Sequence, residues 1–212
     1  MYRPEHYQQN DWQQVLPYLK ENSFATLVSS GEPWPVATHI PLLVGDDGPD
    51  GRHRLYGHVA RANPHWKIFR HNPKVMAIFM NVQSYISASW YQQPDISTWN
   101  YQSVHIRGKI TFMDDETLWE HLHELMGKYE HWREHAVRIQ DLPEDMLQEH
   151  FRRIVGFSIE VEQWEAAWKM SQNRDEADRR QVIEQLEKQP SPEGHKTAAA
   201  MRQLEQRKGQ RP

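Results

Sequence analysis

A succession of short strand-like segments dominates the first half of this chain. They are separated by glycine- and proline-containing turns and cover residues 24–29, 36–44, 54–59, 75–80 and 101–112. The last segment alternates apolar and polar residues with the period of a half-buried strand, whereas 75–80 is almost continuously apolar and is predicted to be buried on both faces. Successive strands of this kind favour an antiparallel, closed or nearly closed barrel. We therefore expect a mainly β fold with added helices, in which residues 45–51 form a loop.

Helical patterns lie on both sides of these strands. Residues 11–22 predict a first helix, with a kink or break at Pro17 because proline lacks a backbone N–H. The remaining predicted elements are a short helix after Asn63-Pro64, helices over 114–129, 143–151 and 175–188, and one strand over 154–161. These elements place residues 1–188 in one predicted domain. Residues 189–212 carry a basic excess and are predicted to form a polar tail, partly helical over 197–207, that contributes nothing to a core.

Composition excludes several classes of protein. The 212 residues carry 25 basic and 29 acidic side chains, a formal net charge of −4, whereas domains that grip a nucleic-acid backbone are usually strongly basic. The absence of cysteine excludes disulfides, thiolate metal ligands and cysteine nucleophiles. The N-terminus lacks the apolar stretch of a signal peptide, and no segment has the length of a membrane span. We therefore expect a soluble cytoplasmic protein with no membrane partner.

Residues 85–101 combine large aromatic rings with small hydroxyls. Buried hydroxyl and indole N–H groups each need a partner, so a purely apolar core segment would favour aliphatic residues. Flat apolar faces beside hydrogen-bond donors suit a planar, polar-edged ligand with an anionic tail, such as flavin mononucleotide (FMN). Stacked nucleic-acid bases, or simply a polar aromatic corner of a barrel, satisfy the same pattern. The candidate binding residues here are Ser87, Ser89, Trp90, Tyr91, Thr98, Trp99, Asn100 and Tyr101.

Three other segments carry candidate binding residues. The segment 169–174 places two cations and two amides within six residues, which suits a phosphate and the edge of a heterocycle; the candidates are Lys169, Gln172, Asn173 and Arg174. Thr38 and His39 lie on a strand and point to opposite faces, so at most one of them faces a given pocket. His58 precedes Arg61 and a helix start, where free backbone N–H groups favour an anion. Ordinary strand, cap and loop roles explain these segments equally well.

Known catalytic signatures find little support. The segment His131–His135 has the H-x-x-E-H order in which two helical histidines share a zinc ion, but no third ligand is marked, and 13 histidines make chance matches expected. We therefore predict no metal site. Glycine-rich nucleotide signatures and the G-x-S-x-G elbow are absent. Residues 175–207 only weakly indicate a helix-turn-helix, because prolines and a glycine separate their helical stretches.

Five of these segments occur together and in order. They read Ala37-Thr-His-Ile-Pro41, Gly57-His-Val-Ala-Arg-Ala-Asn-Pro64, Tyr85-Ile-Ser-Ala-Ser-Trp-Tyr91, Thr98-Trp-Asn-Tyr101 and Lys169-Met-Ser-Gln-Asn-Arg174. The set closely resembles the PaiB family of FMN-binding negative transcriptional regulators, over about residues 1–188. The resemblance implies a homodimeric split β-barrel related to pyridoxamine-phosphate oxidases and flavin reductases, with FMN held by the candidate residues named above. It also implies repression of transcription, with DNA or a regulatory partner.

Two other functions stay open on the sequence alone. A flavin-dependent oxidoreductase acting on a small molecule would use the same residues, with His39, His58 or Tyr101 donating a proton. A haem-binding split barrel is the third hypothesis, because histidines are frequent in this chain.

Overall fold

The computed structural model describes residues 1–45 and 51–208, except for the Lys208 side chain. Its strands are β1 (Gln8–Gln9), β2 (Phe24–Ser29), β3 (Val36–Pro41), β4 (Leu43–Val44), β5 (Arg54–Ala60), β6 (Lys74–Ile86), β7 (Thr98–Phe112) and β8 (Ile154–Lys169). Its α-helices are α1 (Trp12–Glu21), α2 (His65–His71), α3 (Asp115–Glu130), α4 (Glu144–Arg152), α5 (Glu176–Lys188) and α6 (Pro192–Lys208). None of the helices within these described ranges combines the length and the apolar character that crossing a membrane requires.

The strands form one mainly antiparallel sheet, in the order β3-β2-β6-β7-β8-β5-β4, with β1 paired to β8. Strand β2 lies between β3 and β6, so Leu27 is opposite Thr38 on one side and Ala77 on the other. Strand β5 pairs with the first half of β8, where Gly57 is opposite Phe157. The predicted mainly β architecture with added helices is confirmed.

The chain divides into two compact units. The first unit comprises Met1–Val15, Met80–His105 and the residues from Glu165 onward. The second unit comprises Leu16–Phe79 and Ile106–Trp164. The long strands β6, β7 and β8 and the helix α1 each contribute residues to both units, because the boundaries fall within them.

The second unit has an aliphatic and aromatic core. Leu27, Leu55 and Phe157 are fully buried, and burial of each such side chain contributes roughly 1.5–3 kcal/mol. The ring of Phe69, from α2, lies 5.4 Å from that of Phe157. Strands β7 and β8 approach closely at Gly108, where a Cβ atom would lie 2.1 Å from a backbone carbonyl oxygen of β8. Only glycine fits this position without a shift of the backbone.

The core of the first unit includes the two C-terminal helices. Val182 and Leu186 on α5 and Ala198 and Met201 on α6 are buried. The buried Thr197 hydroxyl lies 3.0 Å from the hydroxyl of Ser84 on β6. The prediction that residues after 188 contribute nothing to a core is therefore wrong, because small side chains on α6 pack closely without a strongly apolar pattern. Separation of 1–188 and 189–212 into distinct domains stays a prediction.

Four local predictions are affected by the structure. Helix α1 continues through Pro17, so a break there is wrong, whereas the alternative of a kink stays a prediction; the buried Val15 and Leu19 anchor this helix by packing. Strand β6 alternates in burial and Met80 is 47% exposed, so the prediction that residues 75–80 are buried on both faces is also wrong.

The predicted strand 36–44 is interrupted at Leu42, whose backbone N–H donates to the Ser23 carbonyl. Most of the predicted loop 45–51 lies outside the described residues.

Candidate functional site

A cavity in the first unit brings together residues from three parts of the sequence. Its volume is about 250 Å³. The lining residues are Tyr7, Tyr91, Ile96, Ser97, Thr98, Asn100, Lys169, Ser171, Asn173 and Arg174. Six of these ten were predicted as binding residues from the sequence: Tyr91, Thr98, Asn100, Lys169, Asn173 and Arg174. The aromatic segment and the segment 169–174 therefore meet in one place.

Lys169 ends β8 and supplies one of the two cations of the cavity. Its Nζ donates to Thr98 Oγ1 and, at 2.8 Å, to the carbonyl oxygen of Trp99. Both acceptors are neutral, and no carboxylate in the described part of the chain lies within ion-pair distance of this ammonium group. Burial, and secondly the nearby charge of Arg174, lowers the pKa of Lys169. An anion in the cavity would relieve both effects.

Arg174 supplies the second cation. Its guanidinium pairs with the Asp95 carboxylate and lies over the Tyr91 ring, with Cζ 4.1 Å from the ring centroid. The hydrogen bond to Asp95 is the main cause of the raised pKa of Arg174. A guanidinium has five N–H donors, so Asp95 does not exhaust its capacity. The charges of Lys169, Arg174 and Asp95 sum to one net positive charge, and this charge favours an anionic ligand.

A tight turn after β8 positions both cations. Ser171 has a φ of 60°, in the left-handed region that residues other than glycine rarely adopt. The buried Asn100 amide donates to the Ser171 hydroxyl at 2.9 Å. The Gln172 side chain closes the turn, accepting from the Met170 backbone N–H at 2.6 Å and donating to the Trp168 carbonyl. Asn100 and Gln172 thus hold the turn, and their direct contact with a ligand stays a prediction.

The other predicted residues of the aromatic segment, Ser87, Ser89, Trp90, Trp99 and Tyr101, do not line this cavity. Ser87 accepts from the backbone N–H of Ser89 at the start of a 3-10 turn, and their hydroxyls lie 2.8 Å apart. Trp90 and Tyr101 are half-buried. The Trp99 ring is 54% exposed and lies 6.0 Å from that of Tyr85, which is 50% exposed. These two rings offer apolar area to a ligand or a partner.

Thr38 is half-buried and belongs to a polar network around the buried His65 in the second unit. Its hydroxyl lies 2.8 Å from His65 Nδ1 and accepts from Asn63 Nδ2 at 3.1 Å. On the opposite side of the ring, His65 Nε2 lies 2.9 Å from the Ser29 hydroxyl. His65 is fully buried, and burial lowers its pKa, so the imidazole is neutral at pH 7. Sequence analysis missed His65, which directly follows the Asn63-Pro64 signal.

His39 and His58 also lie in the second unit, and each has its own partner there. His39 is exposed on β3, with Nδ1 3.0 Å from the Thr26 hydroxyl. His58 Nδ1 lies 3.2 Å from Nε2 of His121, on α3. Burial lowers the pKa of His58 and, with the charge of His58 as a second cause, lowers the pKa of His121 to about 4. This pair is therefore neutral at pH 7.

Two alternative sites suggested by the sequence lose part or all of their basis. Two of the five N–H donors of Arg61 donate to the carbonyl oxygens of Arg152, which ends α4, and Ile154, which begins β8, so only the other three are available to an anion. Helix α3 ends at Glu130, so His131 and His135 do not share a helix face. Within residues 1–45 and 51–208, no group of three or more acidic or histidine side chains suits a metal ion.

Four lining residues were not predicted, namely Tyr7, Ile96, Ser97 and Ser171. The Tyr7 hydroxyl donates to Asn173 Oδ1 at 3.1 Å, and burial raises its pKa. The Ser97 hydroxyl accepts from the Ala88 backbone N–H at 3.0 Å. Tyr7 lies far from the other lining residues in sequence, so no local pattern connects it to them.

Sequence comparison identifies the relatives of this chain. The family described as "Putative FMN-binding domain" matches residues 1–163. The chain is 37% identical over 201 residues to the Bacillus subtilis protein named "Protease synthase and sporulation protein PAI 2", covering 95% of this chain and 96% of that protein. The chain belongs to the PaiB family. The resemblance predicted from five ordered segments is thus confirmed.

Solved structures share the fold of this PaiB family member at low sequence identity. The flavocytochrome Anf3 from Azotobacter vinelandii has a TM-score of 0.61 and 16% identity, covering 84% of this chain and 77% of that one. The FAD and haem binding protein from Mycobacterium smegmatis has a TM-score of 0.59 and 14% identity, covering 77% and 73% respectively. These likenesses confirm the predicted split β-barrel with added helices.

Proposed function

We propose that the protein binds FMN, with the phosphate end of the cofactor in the cavity of the first unit. The observation that carries this proposal is the convergence of Lys169 and Arg174 with the hydroxyls of Ser97 and Thr98 on one opening. Two cations beside hydroxyl donors are the groups that bind a phosphate most strongly. The donor set therefore fits the group that the family description names.

The size of the cavity supports entry of one end of the cofactor only. A volume of about 250 Å³ is smaller than the roughly 300–1,000 Å³ of pockets that enclose a whole drug-sized ligand. We infer that the isoalloxazine lies outside it, against the exposed Trp99 and Tyr85 rings. The bound flavin would supply redox chemistry, which the side chains alone do not provide. The predicted contacts of Thr38, His39 and His58 with FMN remain proposals.

Titration with FMN, followed by quenching of flavin fluorescence, tests the phosphate assignment. Lys169→Gln and Arg174→Gln are each expected to weaken FMN binding about tenfold or more, because each removes a charge-assisted hydrogen bond. Arg180→Gln is the matched control, since Arg180 is exposed on α5 and pairs with Glu176. Riboflavin, which lacks the phosphate, should bind the two cavity variants and the wild type equally. Unchanged FMN affinity in both cavity variants would overturn the assignment.

We further propose a homodimer in which the second copy covers the exposed rings of the first unit together with the isoalloxazine that lies against them. Trp99 and Tyr85 are half exposed, and Ile96 is 81% exposed. Large exposed apolar side chains in one region are typical of an interaction surface. Light scattering coupled to gel filtration should give a dimer, and Ile96→Asp should shift it toward monomer. A monomeric wild-type protein at micromolar concentration would contradict the proposal.

We also propose a regulatory role in the cytoplasm, since the Bacillus subtilis relative is named for protease synthesis and sporulation. The formal net charge of −4 disfavours unspecific binding to DNA, so regulation by direct contact must be sequence-selective. A salt-sensitive, sequence-selective shift of promoter DNA would support it. Sustained bleaching of the flavin by NADH or NADPH would instead favour the oxidoreductase, and a Soret band would favour haem.

A further inference from the structure

A second cavity lies in the second unit and shares no residue with the proposed FMN site. Its volume is about 680 Å³, well within the range of pockets that enclose a drug-sized ligand. The lining residues are Arg61, Asp115, Trp119, Glu144, Leu147, Gln148, Phe151 and Arg152. Five of them recur at the spacing of one face of α4, namely residues 144, 147, 148, 151 and 152. That face is therefore turned toward the cavity along its length.

Two stacked rings form the apolar wall. The Trp119 ring, from α3, and the Phe151 ring, from α4, have centroids 5.8 Å apart and planes inclined by 22°. Trp119 remains 36% exposed, and Phe151 and Leu147 are half-buried. A flat, incompletely buried pair of rings offers a face on which a further aromatic ring can stack. The wall thus selects planar apolar groups.

Two arginines, Arg61 and Arg152, line this cavity. Arg61 Nε and one terminal nitrogen donate to the carbonyl oxygens of Arg152 and Ile154, at 2.7 and 2.9 Å. Three of the five N–H donors of Arg61 remain beyond these two bonds. The Arg152 guanidinium has no hydrogen bond or ion pair with any residue in the described ranges. An anion in the cavity would give the Arg152 guanidinium the partner that it lacks and could also accept from the remaining donors of Arg61.

The two acidic residues of the cavity have explanations within the protein. Asp115 and Glu144 lie in the first turns of α3 and α4, where negative charge is stabilised by the free N–H groups of the helix. Glu144 also accepts from the Gln148 amide at 3.2 Å. Neither carboxylate forms an ion pair with Arg61 or Arg152. The four charged side chains of the lining therefore balance formally, but both carboxylates are stabilised by helix N-termini, whereas the Arg152 guanidinium has no partner in the described ranges.

From these observations we propose that this cavity is a second binding site, for a planar aromatic carboxylate. The ring of the ligand stacks on Trp119 and Phe151, and its carboxylate lies between Arg61 and Arg152. The site shares no residue with the cavity proposed for the FMN phosphate, so the two ligands do not compete for the same side chains. Occupancy would link α3, α4 and the segment before α2, which suits a small-molecule effector.

Three probes with one ring system test the proposal. 2-Naphthoate, 2-naphthamide and 2-naphthylmethylammonium differ only in charge and are titrated calorimetrically into the full chain saturated with FMN. We expect 2-naphthoate to bind with one site per chain, the amide about tenfold more weakly, and the cation most weakly of the three. Arg152→Gln should weaken 2-naphthoate binding about tenfold. Arg153→Gln is the matched control, because Arg153 is exposed and pairs with Glu149 outside the cavity.

Each alternative outcome overturns the site in a defined way. Equal affinity of amide and carboxylate would show apolar binding without the arginines. Tightest binding of the cation would show that Asp115 and Glu144 dominate. Equal loss in the Arg152 and Arg153 variants would show unspecific surface charge. A Trp119→Leu variant that turns an oligomer into a monomer, with no 2-naphthoate binding to wild type, would assign the ring wall to contact between copies.

Discussion

Two polar clusters of this protein differ in whether their polar and charged groups find partners within the chain. In the second unit, His65 is fully buried, and each ring nitrogen has a hydroxyl partner, Thr38 or Ser29. In the first unit, Lys169 and Arg174 line an open cavity and carry more positive charge than Asp95 balances. Thr38, Lys169 and Arg174 all lie in the segments that carry the resemblance to the PaiB family. Membership of a motif therefore does not distinguish a residue that supports the fold from one that contacts a ligand.

Burial and charge balance make that distinction. A buried polar group that has all its partners stabilises the fold and has nothing to offer a ligand. A partly exposed cation without a carboxylate is costly until an anion arrives, so its position indicates function more than stability. We therefore expect changes in the histidine-containing second unit to lower the free energy of unfolding, and changes in the cavity to alter FMN affinity.

The largest expected effect is a loss of stability at acid pH that originates in the second unit. The pKa values of His58, His65 and His121 are all lowered by burial, that of His121 to about 4. The unfolded chain binds these protons near pH 6.5, whereas the folded chain does not. The contribution of His121 is fully present well above pH 6.5 and is lost as the pH falls toward 4, by about 3 kcal/mol, and His58 and His65 change the stability in the same direction.

Urea unfolding at a series of pH values measures this slope. Carboxylates titrate in part of the same range, so the control is His121→Gln, which removes one titrating ring from the buried pair. The variant should be less stable at pH 7.5 but have a flatter pH dependence between 6.5 and 4.5. Parallel curves for variant and wild type would show that the buried histidines do not cause the acid sensitivity.

The second expected effect is the loss of the His65 network. His65→Ala removes both hydrogen bonds and leaves a cavity beside Phe69, whose ring lies 4.8 Å from that of His65. We expect the free energy of unfolding to fall by about 2–3 kcal/mol. His71→Ala is the control on the same helix, because His71 is exposed. Equal destabilisation by both variants in thermal unfolding would contradict the structural role of His65.

Sequence patterns predicted the elements of this fold well, because hydrophobic periodicity reports local structure. Strand β2 and helix α5 have almost the predicted bounds. The same patterns failed where packing over long distances decides, as at Pro17 in α1 and at Ala198 and Met201 in α6. A helix of small residues has little periodic signal, although it packs closely.

The candidate site was predicted only in part, because a sequence shows side-chain chemistry but not the contacts made in the folded protein. Side-chain chemistry marked Lys169 and Arg174, and the structure brings them together with the aromatic segment. The contribution of Tyr7 depends on tertiary structure alone, since it meets Asn173 from the other end of the chain. No sequence pattern distinguishes Thr38, whose hydroxyl is a hydrogen-bond partner of His65, from the residues that line the cavity.

A third, smaller effect concerns Thr38, where structural and ligand roles compete. Thr38→Val keeps the shape of the side chain but leaves His65 Nδ1 and the Asn63 amide without their hydroxyl partner. We expect a loss of stability of about 1–2 kcal/mol, measured by urea unfolding. FMN titration of the folded variant then sharpens the comparison. Unchanged affinity would assign Thr38 to the fold, whereas weaker binding would show that the network also supports the flavin.

The smallest expected effect tests the charge balance of the cavity. Asp95→Asn removes the carboxylate that pairs with Arg174 but keeps a hydrogen-bond acceptor, and stacking on Tyr91 still holds the guanidinium. Because a negative charge beside the proposed phosphate position is lost, FMN should bind about threefold more tightly at low salt. Glu176→Gln, on the exposed surface of α5, controls for the change in net charge. The gain should disappear at high salt, where charges at the surface are screened. Weaker FMN binding by Asp95→Asn would instead show that Asp95 positions Arg174, and that orientation of the cation outweighs the repulsion between the two anions.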